Sequence, residues 1–159
     1  MTLKFRYIPQ NQDIETIKDI VESTNFFYDY EIPVAIELVQ EYLEKGSESG
    51  YEFVFASIEN KVVGYSCYGQ IACTNGSYDL YWIVVHNNYR GKGFGKIILS
   101  ETEKKVKENG GRILIAETSS QEKYISTQKF YETNNYICEA KINDFYEIGD
   151  GKLIFVKRL

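Results

Sequence analysis

A chain of 159 residues is the size of one domain with room for a full core, and 43% hydrophobic against 26% charged side chains excludes a disordered protein. Lysine and arginine (18) fall short of aspartate and glutamate (23), so a net charge of −5 argues against a general nucleic-acid binder. No apolar run reaches membrane-spanning length, and Met1–Arg6 lacks the hydrophobic stretch of a signal peptide. Leu3, Phe5 and Tyr7 alternate with polar neighbours, which predicts a first strand ended by Pro9. Ile14, Ile17, Ile20 and Val21 recur at helical spacing and predict an amphipathic helix over about residues 12–25. A second helix is expected to start near Pro33, carry Leu38, Val39, Tyr42 and Leu43 inward, and stop at Gly46. Tyr51–Ile58 and Lys61–Ile71, joined at Glu59-Asn60, predict a hairpin.

After a turn at Asn75-Gly76, Tyr78–Val85 is the most apolar predicted strand. A helix follows over about residues 94–109, closed by Gly110-Gly111. Arg112–Thr118 contains the apolar run Ile113-Leu114-Ile115-Ala116, expected of a strand buried on both faces. Strand, helix and strand in that order imply a parallel pair. A helix over about residues 122–133 and two closing strands, 136–143 and 152–157, complete a mixed α/β domain spanning 1–159. Cys67, Cys73 and Cys138 have no paired spacing, which excludes a disulfide framework and points to reduced thiols in a cytoplasm. With a single histidine, His86, no structural zinc site is expected. The many aromatics (14 Tyr and 9 Phe) are able to stack a ligand, but most are expected in the core.

The informative segment is Arg90-Gly91-Lys92-Gly93-Phe94-Gly95-Lys96, between an apolar strand and a helix start. Glycines there let the backbone approach a ligand, the helix start offers unpaired N–H groups, and Arg90, Lys92 and Lys96 add positive charge. A pyrophosphate is the natural guest. Counting excludes two familiar phosphate loops. A Walker loop needs glycine where Arg90 stands and Ser or Thr where Ile97 stands, and a dinucleotide fingerprint needs a third glycine at Lys96 or Ile98.

Arg90, Gly93 and Gly95 match the pattern Arg/Gln-x-x-Gly-x-Gly/Ala. With the strand Tyr81–Val85 before it, and Phe130-Tyr131-Glu132 and Asn135-Tyr136 after it, the chain resembles the GCN5-related N-acetyltransferase (GNAT) superfamily, Asn135 standing where relatives carry glycine. The resemblance implies a mostly antiparallel, twisted sheet of about seven strands with one parallel β-α-β unit and four helices. It implies acetyl-CoA as cosubstrate, without a metal, lying between two parallel strands that splay apart. Its pantetheine would pair with the backbone of Ile83 and Val85. Its pyrophosphate would sit on the N–H groups of Gly91, Lys92, Gly93, Phe94, Gly95 and Lys96, beside Arg90. The amide of Val84 or Val85 would hold the oxyanion. Tyr131 matches the tyrosine that protonates the leaving thiolate, and Asp79 falls where some relatives carry a glutamate base.

By alternation Asp79 is expected to share a face with Tyr81, Ile83 and Val85. Glu117, at the end of the next predicted strand, competes for the role of base, as does a water chain. Tyr124 and Thr127 stand where relatives often carry Asn and Ala. Ser119 and Ser120 fit either as added polar contacts or as helix caps. His86 reads as a surface loop residue and Cys67 and Cys73 as inert. The implied activity is direct transfer of acetyl from acetyl-CoA to a primary amine of a small molecule or peptide, with a non-catalytic acyl-CoA-binding regulatory module as the alternative. Asp144, Glu147 and Asp150, placed in or near a last hairpin turn, favour a cationic acceptor. A monomer or homodimer is expected, with neither nucleic acid nor membrane as partner.

Overall fold

In the computed structural model, which describes residues 2–159, the alternating segments become a meander: β1 (Lys4–Arg6), β2 (Glu52–Ile58), β3 (Lys61–Gln70) and β4 (Ser77–Val85), each antiparallel to its predecessor. The β2–β3 turn places both Glu59 and Asn60 at positive φ (+48° and +68°), the backbone of a type I′ turn, whose twist matches that of the strands. Between β1 and β2 lie α1 (Asp13–Ser23) and α2 (Ile32–Lys45). Asp13 is fully buried at the start of α1. Its carboxylate takes the guanidinium of Arg6 at 2.7 and 2.9 Å and the Gln10 N–H at 2.6 Å, which clasps the helix to β1. Gly46, at φ +61°, ends α2 where the sequence predicts.

Helix α3 (Phe94–Glu108) carries the chain from β4 to β5 (Ile113–Ser119), which lies parallel to β4. The predicted helix over 122–133 opens as a 3₁₀ turn at Glu122–Tyr124 and becomes α4 over Ile125–Thr133. The last strands, β6 (Ile137–Glu147) and β7 (Asp150–Arg158), are longer than their hydrophobic pattern indicates. Asp144, Glu147 and Asp150 therefore belong to strands flanking a two-residue turn. The extension is held by a register shift between Ile142 and Glu147, with Asp144 at φ +55° and accepting the Gly149 N–H at 2.7 Å. The sheet has seven strands in the order β1-β2-β3-β4-β5-β7-β6, so β7 sits between β5 and β6, and the edge strand β6 is exposed throughout.

Strand alternation sends side chains to two cores. Phe53, Phe55, Tyr65 and Cys67 pack with Ile17, Ile20, Val21 and Val39 of α1 and α2. On the other face Val54, Tyr68, Leu80 and Leu114 pack with Leu99 and Val106 of α3 and Tyr131 of α4. Strand β4 is less buried than its apolar sequence implies: Tyr81 is exposed and Trp82, Ile83 and Val85 are half-buried. These residues wall a cleft.

Candidate active site

The parallel pairing of β4 and β5 runs from Ser77↔Ile113 to Leu80↔Ala116 and stops. Beyond that point β4 continues as Tyr81–Val85 against β3, and β5 continues as Glu117–Ser119 against β7. The strands part, and a cleft of about 800 Å³ opens between them, closed by the glycine turn, α4 and the loop between α1 and α2.

The parting coincides with a bulge. Leu80 pairs with Tyr68 and Trp82 with Cys67, leaving Tyr81 as the extra residue, so side-chain parity reverses there. Asp79 thus does not share a face with Ile83 and Val85, as strict alternation would have it. Asp79 lies on the side of Trp82 and Val84, while Ile83 and Val85 pack with Tyr78 and Leu80 toward α3. The backbone directions follow from one bond. The His86 N–H donates to Val63 C=O at 2.8 Å, so the peptide groups of His86 and Val84 point to β3 and those of Ile83 and Val85 point into the cleft.

At the turn, Gly91 (φ +74°) and Gly93 (φ +78°) adopt left-handed backbone that a side chain would strain. Gly95 does not, and a Cβ there would meet the Phe130 ring at an ordinary 3.5 Å. Among the described residues none of the N–H groups from Gly91 to Lys96 donates within the chain, while Ile97 already bonds back to Gly93 C=O. These groups, at the positive end of α3, suit a phosphate. Arg90 and Lys96 border the cleft; Lys92 turns aside, its ammonium 5.5 Å from the Tyr89 ring centroid.

Tyr131 is 5% exposed, its ring within 5.4–5.6 Å of those of Phe130, Tyr136 and Phe155, yet it borders the cleft. Burial raises its phenol well above the usual value, so it is protonated at neutral pH. Tyr124 also faces the cleft and is raised by burial and by Glu31. Of the two candidate bases, Glu117 lines the cleft and pairs with Lys152 at 2.5 Å, whereas Asp79 is half-buried and outside the cleft lining. Burial, then the charge of Glu117, raises the Asp79 carboxyl, with Lys152 acting in the opposite sense.

Ser119 is buried. It donates to Asp150 at 2.5 Å and accepts the Gln121 N–H at 3.0 Å, so it serves both as polar contact and as turn cap. The Ser120 hydroxyl accepts from Gly151 N–H. His86 is buried rather than on the surface. Its Nδ1 accepts the Asn88 N–H at 3.1 Å and its Nε2 lies 3.5 Å from Asp19, which makes it the cap of the 3₁₀ turn before Arg90. Cys67 is buried, and burial pushes its thiol up; Cys73 and Cys138 are exposed. Among the described residues no group of three His, Cys, Asp or Glu side chains is arranged to hold a metal ion, and no helix is long and apolar enough to cross a membrane.

Sequence reasoning missed the far wall of the cleft. The run Phe26-Phe27-Tyr28-Asp29-Tyr30, between α1 and α2, brings four aromatics to it, Phe27 stacking on Trp82 at 4.9 Å. A dense aromatic run outside any predicted element was the available signal. Asp150 also lines the wall and is 8% exposed.

Comparison with known proteins agrees with this geometry. Residues 15–136 match the model of the acetyltransferase (GNAT) family. A GNAT-family protein of known structure from Desulfovibrio desulfuricans is 42% identical over 99% of both chains, with a TM-score of 0.96. Two more distant structures contain coenzyme A. One is an aminoglycoside 6′-N-acetyltransferase, 16% identical over 99% of this chain and 97% of that one, with a TM-score of 0.76. The other is the PaiA N-acetyltransferase of Thermoplasma acidophilum, 22% identical over 100% of both, with a TM-score of 0.75. No curated protein matches the chain. A split parallel strand pair beside a glycine turn with free amides, in a chain matched by this family over most of its length, shows that the protein belongs to the GNAT acetyltransferase family.

Proposed function

We propose that the chain, as a single acetyltransferase domain over residues 1–159, moves acetyl from acetyl-CoA directly to a primary amine of a small molecule or peptide. The observation that carries this reading is the alignment of two backbone devices along one cleft: the outward peptide groups of Ile83 and Val85, and the undonated amides of Gly91–Lys96. The first suits the amides of pantetheine, the second its pyrophosphate. The thioester supplies an activated acyl carbon; the chain's residues supply the rest. Val85, whose N–H faces the cleft, is better placed than Val84 to stabilise the oxygen charge that develops.

A primary aliphatic amine is mostly protonated at pH 7, so it must lose a proton before or during attack. Glu117, at the mouth of the split, is the first candidate to take it, and Asp79, linked electrostatically to Glu117, is the second. The nitrogen–carbon bond forms, the carbon–sulfur bond breaks, and Tyr131 gives its proton to the departing thiolate. Three unpaired thiols suit a reducing compartment such as the cytoplasm. Thiol release with a panel of amines tests the reading. Turnover supports transfer; tight CoA binding with no amine turned over favours a regulatory module instead.

A further inference from the structure

A part of the cleft wall outside the glycine turn has a chemistry that an anionic cofactor does not need. Tyr28, Tyr30, Tyr124 and Tyr146 line it together with Glu31 and Asp150. Asp150 differs from the acids that the fold pairs with a cation, whether buried as Asp13, part-buried as Glu103 or exposed as Glu117. Asp13 has Arg6, Glu103 has Lys157 and Glu117 has Lys152, but Asp150, 8% exposed, has no cation within ion-pair distance among the described residues. Its Oδ1 takes the Ser119 hydroxyl, and its Oδ2 takes no hydrogen bond among them. A carboxylate withdrawn from water in this way gains from an ammonium ion beside it.

The aromatic wall shows independently that it takes such a group. The ammonium of Lys123, reaching across from the 3₁₀ turn, lies 3.9 Å from the Tyr28 ring centroid and 5.0 Å from that of Phe26, a cation–π arrangement made by the chain's own alkylammonium. Carboxylates act on this wall: after burial, Glu31 and then Asp150 raise the phenols of Tyr30 and Tyr124, and Glu117, then Asp150 and Glu31, raise that of Tyr146. Position sets a spacing. Glu117 follows the last paired residue of the split, Ala116, and Ser119, which holds Asp150, lies two residues farther along β5, roughly 7 Å away at strand rise.

We propose that Asp150, with Glu31 and the tyrosine wall, forms a cation subsite, and that the acceptor is accordingly a dibasic alkylamine whose reacting nitrogen lies near Glu117 while its second nitrogen, still an ammonium, is held at Asp150. For turnover this rests on the acetyl-transfer reading; for binding it does not. The reacting ammonium loses two of its three protons, to the carboxylate and solvent, its nitrogen takes the acetyl carbon as the carbon–sulfur bond breaks and Tyr131 protonates the leaving thiolate, and the distal ammonium is unchanged. The product keeps a single charge. To react again it would have to place a neutral acetamide against Asp150, so the subsite also enforces a single acetylation.

The test compares putrescine, n-butylamine and γ-aminobutyrate, which share a chain length and end in an ammonium, a methyl and a carboxylate. The expected kcat/KM for putrescine exceeds that for n-butylamine by about tenfold or more and that for γ-aminobutyrate by more still, with monoacetylputrescine as product. Asp150→Asn, which keeps the shape and an acceptor for Ser119, brings the putrescine-to-butylamine ratio toward unity, chiefly through KM. Glu31→Gln lowers the ratio several-fold and serves if the first variant misfolds. Calorimetric titration of the CoA-loaded protein with putrescine reads the subsite without turnover. Saturable binding weakened about tenfold by Asp150→Asn upholds it even if no amine is acetylated, in which case the transfer reading alone falls. Equal kcat/KM for putrescine and n-butylamine in the unmodified protein, an unchanged ratio in both variants, or no saturable putrescine binding overturns the subsite.

Discussion

The two ends of the cleft are built of different material. The glycine-turn end is made from backbone: amides of Gly91–Lys96, peptide groups of Ile83 and Val85, and two left-handed glycines. The far end is made from side chains, namely tyrosines, Asp150 and Glu31. Backbone geometry survives most substitutions and serves any acyl-CoA, so this end suits a cosubstrate shared across a family. Side chains change with one mutation each, so under the proposed reading the tyrosine wall is where acceptor choice is set. The comparison teaches that binding of the donor and selection of the acceptor should fail separately.

The largest separation is expected at the chemistry between the two ends. Tyr131→Phe keeps the ring in its place among Phe130, Tyr136 and Phe155 and removes the proposed proton donor, so kcat should fall about 10²-fold while acetyl-CoA affinity changes little. Normal turnover in a folded Tyr131→Phe protein would leave the residue as core and move the role to Tyr124 or water. Next comes Gly93→Val. Left-handed backbone costs a side chain about 1–2 kcal/mol, and relaxing it moves the amides, so the KM for acetyl-CoA should rise about tenfold or more, with the acceptor preference intact. An unchanged KM in the folded variant would remove the turn from the donor site.

Two carboxylates sharpen the boundary. Glu117→Gln should lower kcat/KM for the amine most at neutral pH, and the defect should shrink above the pKa of the amine, where free base is abundant. Asp79→Asn separates catalysis from stability. The carboxyl of Asp79 is raised in the fold, so its ionised form is disfavoured there, and the fold loses stability as pH rises through that raised value. The substitution should therefore raise Tm at neutral pH and give no gain in acid, where the side chain is already protonated; a lower Tm at pH 7 would contradict this. The smallest effect is Arg90→Ala, a few-fold loss of acetyl-CoA affinity that diminishes with added salt, as expected of an exposed cation; a loss insensitive to salt would point to a packed role.

Sequence reasoning was strongest where a local rule dictates the residue. Gly93 announces left-handed backbone, Pro33 and Gly46 bracket α2, and Asn135, in the place of a glycine, is at φ +68°, a conformation asparagine tolerates. It failed where geometry arises from pairing across the sheet. No residue type marks the bulge at Tyr81, because the extra residue is defined by its partners on β3. Asp150 looked like a turn acid until β7 took its place between β5 and β6 and brought it to Ser119, 31 residues away in the chain. His86 gave no local hint of burial, since the side chain its Nε2 meets, Asp19, comes from α1. The glycine turn was thus open to reading; of the aromatic wall only Tyr124 and Asp150 drew notice in the sequence, and that the fold brings them to one cleft was not legible.

The exposed edge of β6 bears on how the protein behaves in concentrated solution. An eleven-residue edge with free peptide groups is a template for strand addition by another molecule. Glu139, Lys141, Asp144 and Glu147 place charge along it, and the register shift after Ile142 bends its far half. Those features guard against sheet-to-sheet growth, but Ile137, Ile142 and Phe145 remain exposed beside them. The guard weakens as carboxylates protonate and net charge vanishes near the sequence pI of about 5.0, so colloidal instability should set in there while the cores are still folded, with β6 as the growing edge.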